Sequence, residues 1–102
     1  MDMTLEKVYQ ECLAYELQKE GLKVEVEKPM PLIYEDIKFD CGYRIDLWVE
    51  RKVVVELKVV EAFNDVHVAQ ILTYMRLSES KLGLLLNYYT KSLKNGIKRL
   101  IL

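Results

Sequence analysis

The sequence holds little of what marks the specialised classes of chain. Its 102 residues include only 2 cysteines, 4 glycines and 2 prolines. So few glycines and prolines exclude a linker, a collagen-like repeat and a low-complexity tail. Cys12 and Cys41 have no CxxC or Cys/His spacing, so no zinc motif is present and both read as free thiols. The longest apolar runs, such as Leu84-Leu85-Leu86, fall far short of the roughly 18 residues of a membrane span. Met1-Asp2-Met3-Thr4 carries neither the basic nor the apolar stretch of a secretory signal, so a cytoplasmic chain without membrane contact is expected. Charge of one sign is also lacking. A net charge of −1 argues against a general nucleic-acid coat protein. What is left is an ordinary globular composition, 51% hydrophobic and 30% charged, that suits one small domain over residues 1–102. Such a domain has a thin margin of stability, and pairing with a second copy or another protein is an expectation.

The charge is unevenly placed. Residues 1–51 carry 7 basic and 12 acidic side chains and residues 52–102 carry 8 and 4, so the halves stand at −5 and +4. Lys91, Lys94, Lys98 and Arg99 gather near the end. This cluster reads as a solvated basic edge, and as a nucleic-acid contact if a phosphate-handling site lies nearby.

Hydrophobic spacing divides the chain cleanly. Leu5, Val8, Tyr9, Cys12, Leu13 and Leu17 predict a helix over 5–20 that Gly21 stops. Alternation over 22–28 predicts a strand, broken by Pro29 and Pro31. A loosely extended stretch through Tyr34, Ile37 and Phe39 reaches the turn signal Asp40-Cys41-Gly42. Residues 43–50 and 53–60 then read as two strands joined at Arg51-Lys52 in an antiparallel hairpin. A second helix is expected over 65–79, an apolar strand over 82–88, and a short strand or helical turn over 97–102.

Within this pattern a few residues stand out of place. Glu56 and Lys58 interrupt VVVELKVV, a run otherwise fit for burial on both faces, and strand alternation puts them on one face. An edge-strand ion pair would satisfy them. Asp46 points elsewhere, because the hairpin brings it nearly opposite Glu56. Two facing carboxylates repel unless a cation or a proton sits between them, and hard cations such as Mg²⁺ favour such oxygen-only sites. Two acids, a metal and a lysine suit metal-assisted phosphodiester hydrolysis. On the first helix Glu16 falls at the centre of the apolar face and Glu6 at its edge, each fit for a structural or a metal-site role. On the second helix His67, Gln70 and Tyr74 share one side, and a lone histidine is more often structural than catalytic.

The ordered set Asp46-x9-Glu56-x-Lys58, followed by Gln70-x3-Tyr74, resembles the PD-(D/E)xK nuclease superfamily and the QxxxY motif of its RecB-like members. Nearly the whole chain is similar to the GxxExxY proteins of that superfamily, through LEKVY, ECLAYEL, GYRIDLWVE, VVVELKVVE, HVAQILTYMRL, LGLLLNY and NGIKRLIL. The resemblance implies an α/β restriction-endonuclease-like core of order αβββαβ, with a central mixed β-sheet flanked by helices. It implies a nuclease acting on DNA, with RNA as the lesser alternative, or a noncatalytic binding or assembly module on the same fold. Asp46 and Glu56 would hold Mg²⁺ or Mn²⁺, and Lys58 would orient water or steady the developing charge. Glu6, in the place of the family's Glu, or Glu16 would complete the site, with Gln70, Tyr74 and His67 facing it. Met3 stands where the family has its first glycine, Ile45 replaces the signature proline, and the family's preceding helix is not seen, so either a late start site or a shortened member that leans on a partner is expected.

Overall fold

The computed structural model describes residues 4–89 and 96–102. Helix α1 (Leu5–Lys19) starts at Thr4, whose hydroxyl accepts from the Lys7 amide at 3.2 Å. Gly21 ends it in the left-handed conformation (φ 86°), where the Gly21 and Leu22 amides donate back to the Gln18 and Leu17 carbonyls. Strand β1 (Val24–Pro29) follows, then two three-residue strands, β2 (Leu32–Tyr34) and β3 (Ile37–Phe39). Those two pair with each other alone, so the stretch expected to be loosely extended is a hairpin. Its turn residues Glu35 and Asp36 both have positive φ, as a two-residue hairpin turn requires.

Strands β4 (Arg44–Val49), β5 (Val53–Lys58), β6 (Leu82–Asn87) and β7 (Ile97–Ile101) complete a five-stranded sheet in the order β1-β4-β5-β6-β7. The sheet is mixed, because β5 and β6 run parallel while the other neighbours are antiparallel. Helix α2 (Asp65–Ser78) makes the crossover that a parallel pair needs. It begins at a reciprocal cap. Asn64 accepts from the His67 amide at 3.0 Å and His67 Nδ1 accepts from the Asn64 amide at 3.1 Å. The histidine's role is therefore structural.

The two helices cover opposite faces. Ala14 of α1 packs with Leu47, Val49, Val55, Leu57 and Leu86. Ile71, Tyr74 and Met75 of α2 pack with Trp48, Val54 and Leu85. Gly83 permits the close seat of α2, since a Cβ there would meet Met75 Sδ at 2.5 Å. Alternation along β5 then sends Val53, Val55 and Leu57 toward α1, and Val54, Glu56 and Lys58 toward α2. The polar residues of that strand consequently share the α2 face with Gln70 and Tyr74.

Candidate active site

Pairing of β4 with β5 runs from Val49↔Val53 through Trp48↔Val54 to Leu47↔Val55. One step further the acids replace the ladder. The Asp46 amide donates to Glu56 Oε2 at 2.8 Å, and the Leu57 amide donates to Asp46 Oδ2 at 2.9 Å. Each carboxylate thus reaches across to the opposite strand's backbone, and the strands part around them. The geometry brings Asp46 and Glu56 together as the hairpin register implies.

Burial makes this pair electrostatically unusual. Glu56 is only 3% exposed and Asp46 is half-buried. Desolvation, reinforced by the negative charge of Asp46, pushes the Glu56 carboxyl up to about 9. Asp46 is also raised, chiefly by burial, although the Leu57 amide and Lys58 pull it down. Near neutral pH the metal-free pair therefore retains a proton between two carboxyls.

Lys58 lies two residues beyond Glu56 on the same face. Its Nζ donates to Gln70 Oε1 at 3.0 Å, and Gln70 Nε2 donates to the Tyr74 hydroxyl at 3.3 Å. Among the described residues neither acid forms an ion pair with Lys58, so the edge-strand ion pair is not what holds Glu56. Gln70 keeps the ammonium beside the acids without neutralising them. Tyr74 is 5% exposed, and burial together with the Glu56 charge raises its hydroxyl. Tyr43 meets the Tyr74 ring edge-on at 5.8 Å and helps line a groove of about 230 Å³ that Gln70 and Tyr74 also border. A roomier hollow of about 430 Å³ lies at the other end of the hairpin, lined by Lys23, Glu25, Trp48, Glu50 and Arg51, away from the acids.

The two helix-one glutamates separate. Glu6 is exposed, yet its charge is felt at Asp46, so it stands at the rim of the site. Glu16 is not at the centre of a buried face: it is exposed and pairs with Lys19 at 3.6 Å. The reason is that α1 carries apolar residues on two sides. Gln10 and Ala14 mark the side on the sheet, while Leu5, Val8, Cys12 and Tyr15 face solvent. Treating both sets as one face puts its centre at Glu16. In the basic cluster, Lys98 pairs with Leu85 and Arg99 with Leu84, so the two exposed side chains leave β7 on opposite faces. Lys98 shares the α2 face with Glu56, two strands away through the register Glu56↔Leu85↔Lys98. Lys91 and Lys94 lie outside the described residues.

One supporting residue went unnoticed in the sequence. Asn87, 3% exposed, accepts from the Val60 and Tyr89 amides and donates to the Val60 carbonyl at 2.7 Å. It fastens the chain just past Lys58. Its only signal was an amide side chain at the end of an apolar strand.

The donor set fits a hard cation. Asp46 Oδ2 and Glu56 Oε2 accept from the backbone, which leaves the second oxygen of each carboxylate for a metal. No group of three or more His, Cys, Asp or Glu forms a metal cage among the described residues. A metal bound here would draw its remaining ligands from water and substrate, as Mg²⁺-like ions do.

Comparison with known proteins places the chain in a family. Residues 2–100 match the family model of the PD-(D/E)XK nuclease superfamily, and the chain belongs to that superfamily. No curated protein and no solved structure matches it.

Proposed function

We propose that this member of the PD-(D/E)XK superfamily is a divalent-metal-dependent nuclease that hydrolyses phosphodiester bonds in DNA, and that it groups with the GxxExxY proteins. The observation that carries the reading is the buried Asp46–Glu56 pair, with Lys58 held beside it by Gln70 and left free of either acid. Burying two acids side by side without a paired cation is costly, and a metal between them would offset that cost.

In this reading Asp46 and Glu56 hold Mg²⁺ or Mn²⁺, which supplies Lewis-acid stabilisation of the phosphate when bound. Lys58 orients the attacking water or stabilises the charge that develops on the phosphoryl oxygens. Gln70 fixes the ammonium, and Tyr74 fixes Gln70. Glu6 completes the acidic rim, and Lys98 offers a phosphate contact on the same face.

A noncatalytic assembly module on this fold is favoured by one observation. Leu32, Tyr34, Ile37 and Phe39 share one face of the β2–β3 hairpin and are each 40–63% exposed. Incubating supercoiled plasmid with Mg²⁺ or Mn²⁺ and either wild type or Lys58→Ala decides between the two readings. A nuclease nicks or linearises the plasmid, and Lys58→Ala lowers the rate by about 100-fold or more while still binding metal. A wild type that binds metal and DNA without cutting supports the assembly module, and an unimpaired Lys58→Ala removes lysine from the mechanism.

A further inference from the structure

Beside the acids lies a groove built for something uncharged. Tyr43, just before β4, lines it together with Val66, Ala69, Gln70, Thr73 and Tyr74 of α2, and none of these six side chains carries a charge. Its volume of about 230 Å³ is below the roughly 300–1,000 Å³ of a drug-sized ligand site, so it suits one small group. Tyr43 is 38% exposed, and the backbone around it is fixed. Asp40 Oδ1 accepts from the Gly42 amide at 3.0 Å, and Gly42 takes the left-handed conformation (φ 76°) that glycine allows. The Tyr43 carbonyl accepts from the Met30 amide at 2.8 Å. Edge-to-face contact with Tyr74 occupies at most one face of the Tyr43 ring. A fixed, partly open aromatic ring is a stacking platform for a nucleobase.

We infer that this groove receives one unpaired nucleobase of the substrate strand, stacked on Tyr43, and that the protein acts on unpaired DNA rather than intact duplex. The inference rests on the nuclease reading of Asp46, Glu56 and Lys58. Gln70 borders the groove and also holds the Lys58 ammonium at 3.0 Å, so the two places adjoin through one side chain. A nucleotide joins an anionic phosphate to an uncharged ring, and the protein sets a cation beside an uncharged aromatic groove. A base inside a duplex is stacked on its neighbours, so it reaches such a groove only after leaving the helix. The net charge of −1 also gives little general pull on a duplex backbone, which leaves stacking a larger share of the affinity.

Fluorescence anisotropy at low salt tests this with a labelled short oligothymidylate, an abasic strand of the same length and a blunt duplex. Ca²⁺, which takes oxygen ligands as Mg²⁺ does, fills the acid site. Wild type should bind the oligothymidylate about 10-fold or more tighter than either other probe. Tyr43→Ala should remove that advantage and Tyr43→Trp should keep it, with binding of the abasic strand unaltered by both. Because Tyr43→Ala also strips a contact from Tyr74, Ala69→Leu supplies an independent check. Ala69 is an exposed helical position where leucine is well tolerated, and the added side chain narrows the groove. It should weaken oligothymidylate binding by about 10-fold with the melting temperature unchanged. Equal affinity for the three probes, no binding of the oligothymidylate, or a preference that survives either Tyr43→Ala or Ala69→Leu overturns the inference. Plasmid cleavage in Mg²⁺ is scored separately. A protein that cuts plasmid but binds all three probes alike keeps the nuclease reading and loses the base groove. One that prefers the oligothymidylate through Tyr43 but cuts nothing keeps the groove and loses the nuclease reading.

Discussion

The two ends of the β4–β5 hairpin are built from the same strands and handle charge in opposite ways. At the turn end opposite charges meet. Arg51 Nη2 bonds Glu25 Oε1 at 2.8 Å and its guanidinium lies 5.0 Å from the Trp48 ring, while Glu50 Oε2 accepts from the Lys23 amide at 2.7 Å. Glu50 and Arg51 both hold left-handed backbone (φ 54° and 51°), a costly conformation that these contacts fix in place. At the open end like charges meet, in the buried Asp46–Glu56 pair, and the nearest cation is tied to an amide instead. At the turn end Glu25 Oε1 is paired with Arg51 within the chain, although Glu25 Oε2 is buried without a hydrogen bond. Charges left unbalanced require something from outside the chain.

The largest effects belong to the open end. Glu56→Gln removes half of the carboxylate pair, and metal affinity should fall by about 100-fold or more by calorimetry. Unchanged affinity would mean that the two ends are equally structural. The same substitution should raise the melting temperature of the metal-free protein at alkaline pH, since it deletes the repelling charge. One kcal/mol corresponds to about 4–8 °C in a domain of this size.

A pH titration sharpens the contrast further. Folded Glu56 keeps its proton up to about 9, whereas the unfolded group loses it near 4.5. Between these values the folded state binds more protons, so metal-free stability is greatest at the acid end and is lost as pH rises through that window. Thermal melts from about pH 5 to 9 should therefore show a falling melting temperature that Glu56→Gln largely flattens. A curve of the same slope in the variant would assign the dependence to other groups.

Smaller effects belong to the turn end. Trp48 Nε1 donates to Ser80 Oγ at 2.9 Å, and Ser80 is 2% exposed. Ser80→Ala leaves that buried donor unpaired and should cost about 1–3 kcal/mol in denaturant unfolding, with metal affinity unchanged. Arg51→Ala breaks an ion pair that is largely open to solvent, so its cost should stay below about 1 kcal/mol and shrink in salt. Loss of metal binding in either variant would erase the distinction between the two ends.

Much of this was legible because local rules carry it. Strand alternation and a short turn suffice to bring Asp46 opposite Glu56, and helical spacing suffices to put Gln70 and Tyr74 on one side. Other features escaped for equally physical reasons. The turn at Glu35-Asp36 lacks the glycine or asparagine that announces a hairpin, and its strands are three residues long. The parallel pairing of β5 with β6 joins residues about thirty apart, which no local period records. On α1 two apolar rows overlap in a simple periodic reading, and only packing shows which row, and with it which glutamate, faces the sheet.

The central claim is that Asp46 and Glu56 hold a proton in the place of a metal. Calorimetric titration of Mg²⁺ and Mn²⁺ near neutral pH, in two buffers of different ionisation enthalpy, tests this most directly. Wild type should bind with release of about one proton per metal, and Glu56→Gln should lose both the binding and the proton. Absence of binding, binding without proton release, or full binding in Glu56→Gln would contradict the account.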